Sequence, residues 1–353
     1  MNRRPLALAA AATAATLLTA CGSGDNPAEG GDVRVVTAFY PLEFAAQQVA
    51  GDVSGVSIET LTAPGVEPHD LELTPRQVGA VSEADLVIYS SGMQAAVDEA
   101  VGAQAADHSL DTTTVVDLAE TGDEDEHTDG EAHTADEHED EHTDGEAHTA
   151  DEHQGEEHAD EEHVDEEHAD EGGHDGHDHG SLDPHFWLDP ERYAAAANAI
   201  AEELSALDPD NAETYRANAA QFADELTALD TEFAETLAGC EQDTLVTTHE
   251  AFGYLADRYG LHQVGITGIT PDAEATPARV AEISRTVDEL GVGAIYAEST
   301  LGGDLADVIG AETGAEVLVL DPIEGITDNS AGSDYFEVMR ANLESLRQGQ
   351  GCA

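Results

Sequence analysis

The seventeen histidines of this 353-residue chain fall into two populations. Twelve of them, His127, His133, His138, His142, His148, His153, His158, His163, His168, His174, His177 and His179, stand among aspartates and glutamates in one run. Five stand apart: His69, His108, His185, His249 and His262. Neutral imidazole is the commonest metal-ligating side chain, so both populations are candidates for metal binding, of different quality. His69 lies in GVEPHD, His185 in DPHFWLDP beside the only tryptophan, and His249 closes TLVTTH. Each follows a predicted strand or precedes a predicted helix, whereas His108 and His262 lack such a setting. Three imidazoles suit Zn²⁺, with a carboxylate or a water completing a tetrahedron. Glu298 in YAEST and Asp321 in VLDPI stand at comparable strand ends, and either could be the fourth ligand.

These side chains need elements to bring them together. VRVVTAF from Val33 reads as a buried strand, SIETL from Ser57 as a second, ADLVIY from Ala84 as a third and TVVDL from Thr114 as a fourth. Apolar residues at helical spacing mark helices over Pro41 to Val49 and Thr74 to Ser82. Pro190 opens an Ala-rich helix reaching about Leu207, which Asp208-Pro209-Asp210-Asn211 breaks. A longer helix from about Ala212 to Leu237 follows, with apolar positions three and four apart. Strands then resume at Thr244, His262, Ala294 and Glu316, and Thr276-Pro277 caps a helix running to Leu290.

Strands alternating with helices predict parallel sheets covered on both faces. Ligands of such open sheets gather beyond the carboxyl ends of the strands. The fold class expected is α/β: two Rossmann-like lobes with parallel sheets, joined by a long rigid α-helix, with a disordered His/Asp/Glu-rich insertion. Residues 33–120 form the N-terminal lobe, 121–181 the insertion, 182–210 the segment bearing His185 and its helix, 211–239 the linking helix and 240–353 the C-terminal lobe. A long helix between lobes predicts small lobe motions and no wide hinge closure.

The insertion is repetitive. EHTDGEAHTADEH occupies 126–138 and recurs unchanged at 141–153, then histidine returns every fifth residue. With almost no large apolar side chain, the run cannot offset the entropy cost of ordering. Five-residue spacing does not align one helical face. The expected outcome is many weak metal sites and no preformed one, titrating near the usual histidine range so that capture weakens below about pH 6.

The formal charge is -66, and 27 of the 77 acids lie between residues 123 and 179, so the rest of the chain is strongly acidic too. Lysine is absent, and all 11 basic side chains are arginine. Such a surface excludes nucleic acid and anionic lipid as partners and suits a high-salt medium that screens repulsion. Met-Asn-Arg-Arg-Pro followed by an apolar stretch reads as an export leader over residues 1–20, too short to span a membrane. It ends LTAC, which resembles the lipobox of bacterial lipoproteins and implies lipidation of Cys21, with 21–32 as a flexible tether. Arg3-Arg4 leaves a twin-arginine route open. Cys240 and Cys352 remain for an oxidising compartment, as one bridge or as two free thiols.

GVEPHDLELTPRQV, DPHFWLDP, THEAFGYLADRYGL, YAESTL and VLDPIEG, in that order, resemble the motifs of zinc-uptake solute-binding lipoproteins of ABC transporters, the ZnuA-like, TroA-fold proteins of metal-binding cluster A-I. The resemblance covers nearly the whole chain after the leader. It implies metal ligands His69, His185 and His249, with Asp321 as the carboxylate and Glu298 as an outer partner or an alternative. It implies Zn²⁺ as transported ligand, with Mn²⁺ the second choice, since manganese-type relatives tend to carry Glu at the position of His249. It also implies a permease and its ATPase as partners, a monomer held to the membrane only by a lipid anchor, and an extracytoplasmic location. No catalysis is expected: Glu250 beside His249 could be proposed as a general base, but no second histidine stands near His249 to complete an H-E-x-x-H pattern there. A surface metal buffer or adhesin without a transporter is the competing class.

Overall fold

The computed structural model describes residues 32–119, 182–269, 276–298 and 304–353. The leader, Cys21 and the histidine-rich run with its twelve histidines lie outside the described residues.

The first lobe alternates strand and helix: β1 (Val33–Thr37), α1 (Tyr40–Ala50), β2 (Val56–Thr60), α2 (Pro75–Glu83), β3 (Leu86–Tyr89), α3 (Ala95–Gln104) and β4 (Ser109–Asp111). All pairings are parallel, and the order across the sheet is β2-β1-β3-β4. Parallel neighbours require crossover connections, which the helices supply. Thr74 starts α2 as a capping box with Gln77, a terminus legible in TPRQ.

One predicted strand is corrected. TVVDL from Thr114 is not the fourth strand; Ser109–Asp111 is. The Asp111 carboxylate accepts from the amides of Ser91 and Thr113, turning the chain into a 3-10 turn at Thr112–Thr114 and ending the strand there. A short side chain bonding its own backbone has outcompeted β-propensity.

Two helices follow the second described segment's start: α4 (Pro190–Leu207) and α5 (Ala212–Leu237). Asp189 caps α4, accepting from the Glu191 amide, and Pro190 occupies the first turn. The 26 residues of α5 span about 39 Å at the usual helical rise. Its buried residues Tyr215, Ala219, Phe222, Leu226, Leu229, Phe233 and Leu237 form one stripe.

The second lobe repeats the plan with β5 (Thr244–Thr247), α6 (Gly253–Tyr259), β6 (His262–Gly265), α7 (Pro277–Leu290), β7 (Ala294–Ala297), α8 (Asp304–Thr313), β8 (Glu316–Val319) and α9 (Tyr335–Gly349). Its parallel order is β6-β5-β7-β8, matching the first sheet. Cys240 and Cys352 are joined in a disulfide that closes the end of α9 onto the approach to β5. Gln350 supports the same junction, donating to the Thr244 carbonyl at 3.0 Å and accepting from the Glu241 amide at 3.0 Å.

The lobes share one core. Phe44 of α1, Tyr193 of α4, Phe222 of α5 and Tyr335 of α9 interlock, with ring centroids 4.8 Å apart for Tyr193–Tyr335 and 5.9 Å for Phe44–Tyr335. The Tyr335 hydroxyl donates to the Trp187 carbonyl at 2.7 Å. Aromatic burial of this kind contributes both area and edge-to-face attraction. Among the described residues no helix is long and apolar enough to cross a membrane.

Candidate metal centre

The first lobe contributes two imidazoles to the cleft. His69 stands in the loop after β2, which Gln94 holds by donating from Nε2 to the Pro68 carbonyl at 3.0 Å and to the Thr62 hydroxyl at 2.9 Å. The Glu67 carboxylate accepts from the His69 amide at 3.2 Å. His185 precedes a 3-10 turn over Phe186–Leu188. Asp183 Oδ1 accepts from both the His185 amide, at 2.9 Å, and its Nδ1, at 2.8 Å. One carboxylate thus sets the backbone and the ring of the same histidine.

The second lobe contributes the rest. His249 follows β5, and its carbonyl accepts from Thr247 Oγ1 at 2.7 Å and from Gln263 Nε2 at 3.1 Å. Its Nδ1 donates to Glu298, the residue just past β7. β5 and β7 are adjacent, with Thr247 opposite Tyr296, so the strand register brings this pair together at the carboxyl edge.

His69, His185, His249 and Glu324 form a group whose ligand atoms all lie within 4.8 Å of one another. Glu324 Oε1 is 3.2 Å from Nε2 of His185, 3.5 Å from Nε2 of His69 and 3.7 Å from Nε2 of His249. A tetrahedral zinc ion with its usual bond lengths holds its donors about 3.3 Å apart. Nε2 of His69 and of His249 are buried without a hydrogen-bonding partner, a costly arrangement that a bound cation would resolve. With Nδ1 of His185 and His249 committed to carboxylates, Nε2 is the nitrogen left to face a metal. The residues present therefore fit Zn²⁺.

The electrostatics are those of a cation site. Burial alone pushes Glu324 up, but the imidazoles of His185 and His69 beside it outweigh burial and hold the carboxyl well below its usual range. Burial lowers His185 as well, yet Asp183 and Glu324 on its two sides outweigh burial and raise it to about 10. For His69 burial wins, and its pKa is lowered despite Glu324.

Sequence reasoning placed the three histidines at strand or helix ends, and the structure brings all three together. It places Glu324 with them, and not Asp321. Asp321 Oδ1 accepts from the Ile323 amide at 2.8 Å, inside its own turn. Glu298 touches His249 and stands outside the group. Glu324 was missed because nothing in VLDPIEG ranks its carboxylate above the one at the strand end; the available signal was the Pro322 and Gly325 flanks, which mark a turn. Asp183 was also missed, although its spacing of two from His185 is that of a local side chain–backbone bond. His108 and His262 stay outside the cluster.

Fold and site together define a two-lobed α/β protein with a buried three-histidine, one-carboxylate cluster between its lobes. Residues 35–349 match the model of the ZnuA family, zinc-uptake complex component A, periplasmic, and the chain belongs to that family. It is 35% identical over 348 residues to the zinc-binding lipoprotein AdcA of Streptococcus pneumoniae serotype 4, a match covering 98% of this chain and 61% of that one. The chain thus spans about three-fifths of the length of the AdcA proteins it matches. It is 31% identical over 340 residues to the high-affinity zinc uptake system protein ZnuA of Bacillus subtilis, covering 94% of this chain and 93% of that one. The crystal structure of the Zn(II)-bound ZnuA-like domain of S. pneumoniae AdcA shares the fold with a TM-score of 0.65 and 30% identity, over 91% of this chain and 99% of that one.

Proposed function

We propose that the chain captures Zn²⁺ outside the cell membrane in the His69–His185–His249–Glu324 cleft and delivers it to a membrane permease driven by an ATPase. The observation that carries this reading is the spacing of the four donor atoms, with Glu324 Oε1 at 3.2, 3.5 and 3.7 Å from three imidazole nitrogens. Three nitrogens and one oxygen favour zinc over manganese, which prefers oxygen-rich sites. Capture and release need no covalent chemistry, so Glu250 has no general-base role. Family membership supports the permease partner. A lipid on Cys21 would tether the chain, as a monomer, to the outer face of the membrane.

In this reading the twelve histidines of the insertion are a weak collector. The segments flanking it end at Ala119 and begin again at Leu182, three residues before His185. The insertion would raise the supply of Zn²⁺ to the cleft.

The test is zinc titration calorimetry at high salt on the chain lacking residues 123–179. One tight site, abolished by His185→Ala, is the expected result. Absence of a tight site would make the insertion the principal binder and the protein a surface metal buffer.

A further inference from the structure

Ile323 has a left-handed backbone, with φ at 61°, and no other non-glycine residue among those described has a positive φ. For a β-branched residue this conformation is a steric outlier, because Cβ crowds the following carbonyl. Glycine would be free of that conflict. Ile323 is fully buried and immediately precedes Glu324.

The turn around it is held at every residue. Asn342 accepts from the Asp321 amide at 2.9 Å and donates to the Asp321 carbonyl at 2.7 Å. Trp187 Nε1 donates to the Pro322 carbonyl at 2.7 Å. Asp321 Oδ1 accepts from the Ile323 amide at 2.8 Å. Strained backbones persist where their surroundings over-determine them, and they cluster at ligand clamps. A right-handed or extended residue at 323 would send the next side chain in another direction.

We propose that Ile323 is a positioning residue whose left-handed turn aims the Glu324 carboxylate at the three imidazoles and relaxes when Glu324 withdraws, so that strain in the loaded cleft speeds metal release. This rests on the reading of Glu324 as a zinc ligand. A cargo protein must let go as well as hold, and a turn strained only in the closed state biases the exchange toward release. The buried Ile323 side chain and the four hydrogen bonds keep the strained state populated.

The test compares Ile323→Gly with Ile323→Ala in the full chain. Both remove the branched side chain, but only glycine removes the left-handed penalty. Zinc dissociation into a chelator, followed by stopped flow, should be about fivefold or more slower for Ile323→Gly than for Ile323→Ala, with affinity correspondingly tighter. Equal rates and affinities, with the glycine variant merely more resistant to denaturant, would overturn the proposal, because the turn would then keep one shape in both states. Should either variant fail to fold, Asp321→Ala and Asp321→Asn replace the pair. Asp321→Ala frees the Ile323 amide and should weaken zinc binding, while Asp321→Asn, which keeps the acceptor, should restore it; wild-type affinity in Asp321→Ala would overturn the proposal. Glu324→Ala separates the two readings: unchanged zinc affinity there overturns both, and a large loss leaves the Ile323 comparison to decide.

Discussion

The indole Nε1 of Trp187 donates to the carbonyl oxygen of Pro322 at 2.7 Å, across 135 residues of chain. This bond ties the segment that carries His185 to the turn that carries Glu324, one from each lobe. Trp187→Phe keeps an aromatic ring in the buried position and leaves the Pro322 carbonyl unsatisfied. It should destabilise the protein by about 1–3 kcal/mol and weaken zinc binding, measured by denaturant unfolding and calorimetry on the same sample. Unchanged zinc affinity would separate the lobe tie from the site.

Glu298 Oε1 accepts from Nδ1 of His249 and from the Thr248 hydroxyl, and of the three imidazoles in the cluster it touches that of His249. It fixes the tautomer that leaves Nε2 free for metal. Glu298→Ala should therefore lower zinc affinity by about 10–100-fold, with Glu298→Gln nearer wild type because its carbonyl oxygen still accepts. Loss of Glu324, a direct donor, should cost more than either.

The cleft should exchange protons for metal. Burial disfavours a charged His185, but Asp183 and Glu324 outweigh it and hold the metal-free imidazole protonated up to about pH 10. Zinc must displace that proton, so binding should release about one proton near neutral pH and tighten roughly tenfold per pH unit below the His185 value. Calorimetry in buffers of different ionisation enthalpy reads the proton directly. Stability has the matching sign. The raised pKa contributes stability in full below the ordinary value of 6.5, and that contribution is lost as pH rises through about 10. Metal-free protein should therefore unfold at lower temperature on the alkaline side. On the acid side Glu324, with its lowered pKa, contributes above the ordinary value of 4.5 and ceases to contribute as pH falls through its depressed value.

The Cys240–Cys352 bridge spans a sequence separation of 112 residues. A loop of that size restricts the unfolded chain strongly, by up to about 4–5 kcal/mol in the chain-entropy account. The double variant Cys240→Ser, Cys352→Ser should lose several kcal/mol of stability in denaturant titrations. Its zinc affinity should stay near wild type, because the bridge lies at the amino end of β5 and the cleft at the carboxyl end.

Residue type and position along the chain determined much of this protein by themselves. Pro190 with Asp189 before it, and Asp208-Pro209 after Leu207, set the bounds of α4 locally, so the approximate extents of α4 and α5 were legible. The three histidines were legible because His69 and His249 follow strands of parallel sheets, whose ligands gather at the carboxyl edge, and His185 stands just before the helix that Pro190 opens. Two local contests were not legible. Asp111 diverted its own backbone into a turn, and β4 ended before TVVDL began. At the other end of the site, two carboxylates three residues apart competed for one position. Asp321 stands nearer the strand, but the left-handed turn at Ile323, held by Asn342 and Trp187 from distant parts of the chain, spends Asp321 on the backbone and sends Glu324 into the cleft. Side-chain direction after such a turn depends on a dihedral angle that isoleucine does not favour alone. Only long-range packing could impose it, and so only the tertiary structure decided which carboxylate faces the imidazoles.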